Sequence, residues 1–174
     1  MAKKKQSVMD VLVKAFEESG GKTIDLVTDH EEIRGVTPEM MQWWMLNACR
    51  SDNYRKWYPK DHIVFIWETP PGKEGLAGAV SVVVESIGEF TASPLRIRPE
   101  DPPGWSSISD PDDRRIAWLH DKAEVTPTSI KLRTTFRCPA KTPRKFLDAM
   151  TRHSLEENAR FAEFLPEMYR KAVK

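Results

Sequence analysis

The stretch from Pro143 to Tyr169 constrains the fold more than any other part of the chain. Pro143 suits a first helical turn, and Pro166 would kink the helix or end it early. At about 100° per residue, seven side chains fall on one narrow stripe. They are Phe146, Met150, His153, Glu157, Phe161, Phe164 and Met168, spaced by four, three, four, four, three and four residues. Five of the seven are apolar, so the stripe faces a core. His153 and Glu157 sit in its middle, and burying a carboxylate without a partner is strongly unfavourable. Residues four apart on a helix can bond each other. An i, i+4 His and Glu can equally point two ligands at one ion, and imidazole with carboxylate suits zinc. The helix alone leaves both readings open.

What that helix packs against is read from the preceding chain. Val8 to Glu18 has helical spacing and stops at Gly20-Gly21. "IDLVTDHEEIRGV" is mixed, a strand or a loop. In "VTPEMMQWWMLNACRS", Thr37 can cap, Pro38 suits the first turn and Glu39 favours the positive end of a helix, expected to be largely buried. "SDNYRKWYPKDH" reads as a polar-aromatic loop. "IVFIWE" and "LAGAVSVVVESIGEF" read as two strands of a hairpin around "TPPGKEG". A short strand at "SPLRIR" is followed by a long Pro/Asp/Ser loop over residues 99–113, of the kind that walls a site. "RRIAWLHDKAEV" and "TSIKLRTTFRCP" read as two more strands turning at 125–128, with Thr134, Phe136 and Cys138 alternating against Arg133, Thr135 and Arg137. Helix, hairpin, further strands and a closing helix describe an α+β layout, an antiparallel sheet gripping a helix.

Composition narrows the partners. The chain has 174 residues, enough for one domain with a core, and a formal net charge of +1 with 30% charged residues. That balance gives no pull toward nucleic acid or an anionic membrane. The basic run Lys3-Lys4-Lys5 reads as a solvated tail. No apolar stretch approaches the roughly 20 residues of a membrane span, and no secretory signal core is present. Cys49 and Cys138 form no metal or redox motif. A soluble, cytoplasmic protein with reduced thiols is expected.

A metal on the closing helix needs further ligands. His30 lies in a polar stretch and is expected to be exposed; His120, near a strand end, remains available. His62 stands where a loop enters the hairpin. With the hairpin turn centred near Gly72, His62 falls opposite Val83 to Glu85. Strands lie about 4.8 Å apart, so paired residues on one face can share an ion. Glu85 is then a candidate, although a strand-end carboxylate can also turn to water. Glu89 follows on the same alternation, unless Gly88 bulges the register. Glu68 lies too far from His62. Two histidines and two glutamates, with a position left for water, describe a hydrolytic zinc site.

"GVTPEMMQWWM", "YRKWYPKDH" and "RHSLEEN…FLPEMY" resemble the 2,4-diacetylphloroglucinol hydrolase and phloretin hydrolase family, with Tyr58 standing where the family pattern has histidine. The resemblance runs from about Gly35 to Tyr169. It implies a START-like, helix-grip fold with a cavity between curved sheet and long helix. It also implies a Zn2+ ion held by two histidines and two glutamates, and hydrolysis of a carbon–carbon bond between an acyl group and a phenolic ring. Carried over by motif, His62 is the first ligand and His153 and Glu157 the helix pair. The intervening glutamate is assigned to Glu85 by the hairpin register, with Glu89 in reserve. Tyr54 matches a tyrosine that meets the phenolic substrate. The catalytic set expected is therefore Tyr54, His62 and Glu157, with Trp43 and Trp57, and Trp44 beside them, as candidate pocket walls. Residues 1–34 form an N-terminal tail and short helix in this reading, and residues 35–174 the START-like metal-binding catalytic domain. The partner expected is a small aromatic ketone; an exposed face on the first helix would permit a homodimer. Two other classes share such a cavity: a carrier of an aromatic or apolar ligand, and a metal-free polyketide cyclase or aromatase.

Overall fold

The computed structural model describes residues 5–73, 75–100 and 104–173. Lys3 and Lys4 of the basic run and residues 101–103 of the Pro-rich loop lie outside the described residues. In chain order the elements are α1 (Val8–Ser19), β1 (Thr23–Asp29), β2 (Ile33–Arg34), α2 (Pro38–Trp43), α3 (Ser51–Trp57), β3 (His62–Thr69), β4 (Val80–Ile87), β5 (Phe90–Pro99), β6 (Trp105–Ser109), β7 (Arg115–Thr126), β8 (Ser129–Pro139), α4 (Arg144–Ala159) and α5 (Phe161–Ala172).

Seven strands lie side by side in the order β1-β8-β7-β6-β5-β4-β3, with β2 pairing onto β8, and all the pairings are antiparallel. Alternation decides which face of the sheet is covered. Ile130, Leu132, Phe136 and Cys138 of β8 point into the core. The intervening Arg133 and Arg137 point out and bond Asp29 and Asp25 on β1 at 2.6 and 2.8 Å. The inner face is gripped by α4, whose Phe146, Leu147, Ala149 and Met150 are buried. At one end α1 is seated by its Ser7–Asp10 capping box and by Met9 N–H donating to Ser93 Oγ at 2.8 Å. Residues 8–34 thus supply a helix and the strands β1 and β2 to the same sheet and core as the rest of the chain.

Several local expectations are corrected. The segment read as a polar-aromatic loop forms α3, because Asp52 in its first turn and Arg55 and Lys56 in its last complement the helix dipole. The helix capped by Thr37 continues as a π-helical segment, Trp44–Ala48, and of its apolar side chains Trp44 is fully buried while Met40, Met41 and Trp43 are only partly covered. Part of the Pro/Asp/Ser loop is strand β6. The closing helix breaks at Arg160, where the Arg160 N–H turns back to Glu157 O at 3.2 Å, and Pro166 is accommodated inside α5. Glu89 does not continue β4: Gly88, at φ 61°, turns the chain into β5.

Candidate functional site

Between sheet and α4 lies a cavity of about 240 Å³, walled mainly by apolar side chains such as Leu12, Leu26, Phe65, Val83, Ile97 and Phe136. One group of polar side chains at it comes from β3, β4, α3 and α4. The hairpin of β3 and β4 sets His62 opposite Glu85. That pairing sits at the far end of the expected range: the pairing next to the turn is centred beyond Gly72, and two register irregularities, each with an extra residue in β3, bring it back toward earlier residues of β4. α4 contributes His153 and Glu157 one turn apart, and α3 contributes Tyr54 and Trp57.

These groups converge. His62 Nε2 lies 3.1 Å from Glu157 Oε2 and 3.7 Å from Glu85 Oε2. His153 Nε2 lies 3.5 Å from the same Glu157 oxygen. Each imidazole is held from behind through its other nitrogen. His62 Nδ1 is 3.2 Å from the Tyr54 carbonyl, and His153 Nδ1 is 3.1 Å from Asp61 Oδ2. Asp61 is itself fixed by Ser86 Oγ, which donates to Oδ1 at 2.9 Å. Both rings therefore turn Nε2 toward the carboxylates. Among the described residues His62, His153 and Glu157 form a group whose ligand atoms all lie within 4.8 Å of one another, close enough to hold a metal ion. The electrostatics follow. Burial opposes the charged His153 imidazolium, but the Glu157 carboxylate and the Asp61 hydrogen bond outweigh it and hold its pKa well above the usual value. Burial also opposes ionisation of Glu157, and the two imidazoles overcome it, leaving its pKa below the ordinary carboxylate range.

An aromatic collar fixes the cluster. The Tyr54 ring stacks on His62 with centroids 3.8 Å apart, and its hydroxyl donates a short hydrogen bond to Glu85. Burial, then the Glu85 charge, pushes the Tyr54 pKa well up, so the phenol keeps its proton. Trp57 meets His62 edge-on at 4.8 Å, and its indole N–H donates to the Glu157 carbonyl at 2.8 Å, where α4 is about to break. Tyr58 packs edge-on against His153 and donates to Glu156.

The structure brings Tyr54, Trp57, Glu85, His153 and Glu157 to one cavity, with the buried His62 ring directly behind Glu85 and Glu157. It does not bring Trp43 there: that ring stands outside the cavity, edge-on to Tyr169 at 5.6 Å, while Trp44 is buried against Trp57, Phe161 and Phe164. Glu89 is turned away to pair with Lys145 at 2.6 Å. His120 stacks on Trp105 at 4.7 Å, apart from the cluster. His30, expected at the surface, is only 4% exposed, because β1 continues past Asp29 with a His30 N–H bond to Leu132 O that turns the ring inward. Asp61 and Ser86 were not singled out from the sequence. Asp61 adjoins His62, but nothing local shows that it reaches α4.

Comparison with known proteins supplies the deciding observation. The model of the DAPG hydrolase PhiG domain matches residues 18–105, half of the chain. The chain belongs to the DAPG hydrolase family. The matched stretch carries Tyr54, His62 and Glu85 and stops short of α4. Membership of the DAPG hydrolase family supports hydrolase activity for this chain. A search of curated proteins finds no match. Among solved structures, Ara h 8.0201 superposes with a TM-score of 0.53 at 14% identity, covering 83% of this chain and 97% of its own. A norcoclaurine synthase point mutant from Thalictrum flavum gives 0.48 at 12% identity, covering 88% and 99%. The first likeness concerns the fold alone, a curved antiparallel sheet around a C-terminal helix, the START-like helix-grip arrangement. No helix among the described residues is long and apolar enough to cross a membrane. Both cysteines are buried and unpaired; burial, then the Glu157 charge, pushes the Cys49 thiol up to about 12.

Proposed function

We propose that the protein is a zinc-dependent hydrolase that cleaves the carbon–carbon bond between an acyl group and a phloroglucinol-type ring. One observation carries the reading: two imidazoles, each tied back through Nδ1, aim Nε2 at the same Glu157 oxygen, with Glu85 beside them. Two nitrogen and two oxygen donors suit zinc. A ligand imidazole held through its other nitrogen by a carboxylate or carbonyl is the support such a site requires. His62, Glu85, His153 and Glu157 would hold the ion. When bound, it would polarise an oxygen and lower the pKa of water toward neutrality.

The chain's own residues then do the following. The reaction adds water across the bond: the acyl carbon gains the water oxygen and leaves as a carboxylic acid, and the ring carbon keeps the bonding pair and takes a proton. The apolar wall excludes bulk water from the ring. Tyr54, its hydroxyl donating a hydrogen bond to Glu85, presents its oxygen as an acceptor for a phenolic hydroxyl. Trp57 borders the ring and, through its N–H bond to the Glu157 carbonyl, holds the end of α4 in place. Because the substrate is enclosed by the sheet and α4, its size is limited to a small aromatic ketone. Residues 35–174 carry these groups, with α1 closing the cavity.

The test joins metal content to turnover. Purified protein should hold about one zinc per chain and release a carboxylic acid from members of an acylphloroglucinol panel. Glu157→Gln should lose the metal and the activity while keeping the far-ultraviolet circular dichroism of the parent. Full activity in zinc-free protein, or a Glu157→Gln variant that retains both, would sink the proposal. The apolar lining also favours a second reading, a carrier of an aromatic ligand. Stoichiometric ligand binding with neither zinc nor turnover would establish it.

A further inference from the structure

The cavity wall formed by β7 and β8 carries a polar group that the reaction scheme leaves unused. Asp121 and Thr134 are register partners across these strands, and both line the cavity. Thr134 Oγ donates to Asp121 Oδ1 at 2.7 Å. A hydroxyl has one proton to give, so the Thr134 oxygen accepts from His30 Nε2, 3.0 Å away. Ser154 Oγ on α4, 3.4 Å from the same nitrogen, ties this line to the helix that carries His153. Asp121 thus has one oxygen locked from behind. The described residues supply no hydrogen bond to the other, Oδ2, and the side chains beside it include Leu119 and Phe136. A carboxylate kept for packing alone would be costly in such a wall. One oriented for a ligand is what a three-residue support provides.

We propose that Asp121 selects the substrate, accepting a hydrogen bond from the ring hydroxyl para to the acyl group, with Thr134 and His30 as positioning residues. The inference rests on the hydrolase reading and names the residue that reads the phloroglucinol hydroxyl opposite the acyl carbon. The placement follows from the topology. Glu85 and His62 hold the acyl end on β4 and β3, and β7 lies three strands along from β4, on the far side of the ring from the bond that breaks. Withdrawal from water, opposed by the Thr134 hydrogen bond, raises the Asp121 pKa, which makes the carboxylate the stronger acceptor.

Two ligands differing in that one hydroxyl test the proposal: 2,4,6-trihydroxyacetophenone and 2,6-dihydroxyacetophenone. Their dissociation constants would be measured on zinc-loaded protein by quenching of tryptophan fluorescence, and kcat/KM by release of acetate. The parent should prefer the trihydroxy compound by about 10- to 100-fold, the usual range for a hydrogen bond to a charged group. Asp121→Asn should bring the two within about threefold by weakening the trihydroxy compound alone. Thr134→Val, which releases the carboxylate without removing it, should lose part of the preference; it carries the test should the Asn variant fail to fold. A preference that survives both substitutions, or an equal loss for both ligands, overturns the role of Asp121. If the parent binds and cleaves both compounds equally well, the inference falls and the hydrolase reading stands. If the parent cleaves neither, both fall.

Discussion

Asp61→Asn separates a metal-supporting role of the cluster from a purely structural one. Asp61 is 4% exposed and does not itself line the cavity, yet its Oδ2 meets Nδ1 of the lining residue His153 at 3.1 Å. The carboxylate does two things to the imidazole. It fixes the tautomer that leaves Nε2 free for an ion, and its charge makes Nε2 a better donor. Asparagine can keep the first by offering its amide oxygen to Nδ1–H; it loses the second. Charge-assisted hydrogen bonds are about twice as strong as neutral ones, so the substitution removes roughly 1.4 kcal/mol of ligand support, a tenfold loss in zinc affinity. Asp61→Ala removes both contributions and should approach the 100-fold end of the range found for such outer partners. Ser86→Ala, which only frees Oδ1, should cost less than either. The assay is competition for zinc against a chromogenic chelator at fixed pH, with melting of the metal-free proteins as the control for folding. Affinities within twofold of the parent for both Asp61 variants would refute the idea that His153 is held for an ion.

Two further outcomes follow from the same geometry. Trp57→Phe loses the indole N–H bond to the Glu157 carbonyl and part of the ring that packs on Phe161 at 4.6 Å, and should lower stability in urea by about 1–2 kcal/mol; no measurable change would mean that α3 does not clamp the end of α4. His30 gives a pH dependence: burial lowers its pKa, and the Asp121, Glu157 and Asp29 charges only partly compensate. The unfolded chain therefore takes up the His30 proton first, so this contribution to stability is intact above about pH 6.5 and declines as the pH falls from there toward the lower folded value. His30→Gln should flatten the dependence of the melting temperature between pH 7 and pH 5, and an unchanged slope would remove His30 as its source.

The parts of the site legible in the sequence were those that obey a period. Helical spacing puts His153 and Glu157 on one buried stripe, and a hairpin turn near Gly72 puts His62 opposite Val83 to Glu85, a range whose far end is the observed partner. Both inferences survive local irregularity, because a break at Arg160 or a bulge in β3 moves the partner by a residue and leaves the stripe and the face intact. α3 was misread because its seven residues hold no second apolar turn; beyond the charges at its ends, it is held by buried Tyr54 and half-buried Trp57 packing on His62, a contact that no helical period displays.

What stayed hidden shares one physical character: it is polar, and its partner is distant in sequence. Asp61 reaches His153 across 92 residues and His30 reaches Thr134 across 104. Residue identity gave the opposite expectation for His30, since a histidine flanked by Asp29, Glu31 and Glu32 looks solvated. The strand decides otherwise. Once β1 aligns on β8, Thr28 and His30 share the inward face while Asp25 and Asp29 pair with the outward arginines. A charged sequence neighbourhood therefore says little about a residue on a strand, where adjacent side chains live on opposite sides. The same rule places Thr134 and Asp121 in the cavity beside apolar Phe136 and Leu119. Polar residues inserted into the inward alternation of a sheet are the signal to look for. In this fold they occur where β3 and β4 meet α4, and again where Asp121 of β7 and Thr134 of β8 line the cavity.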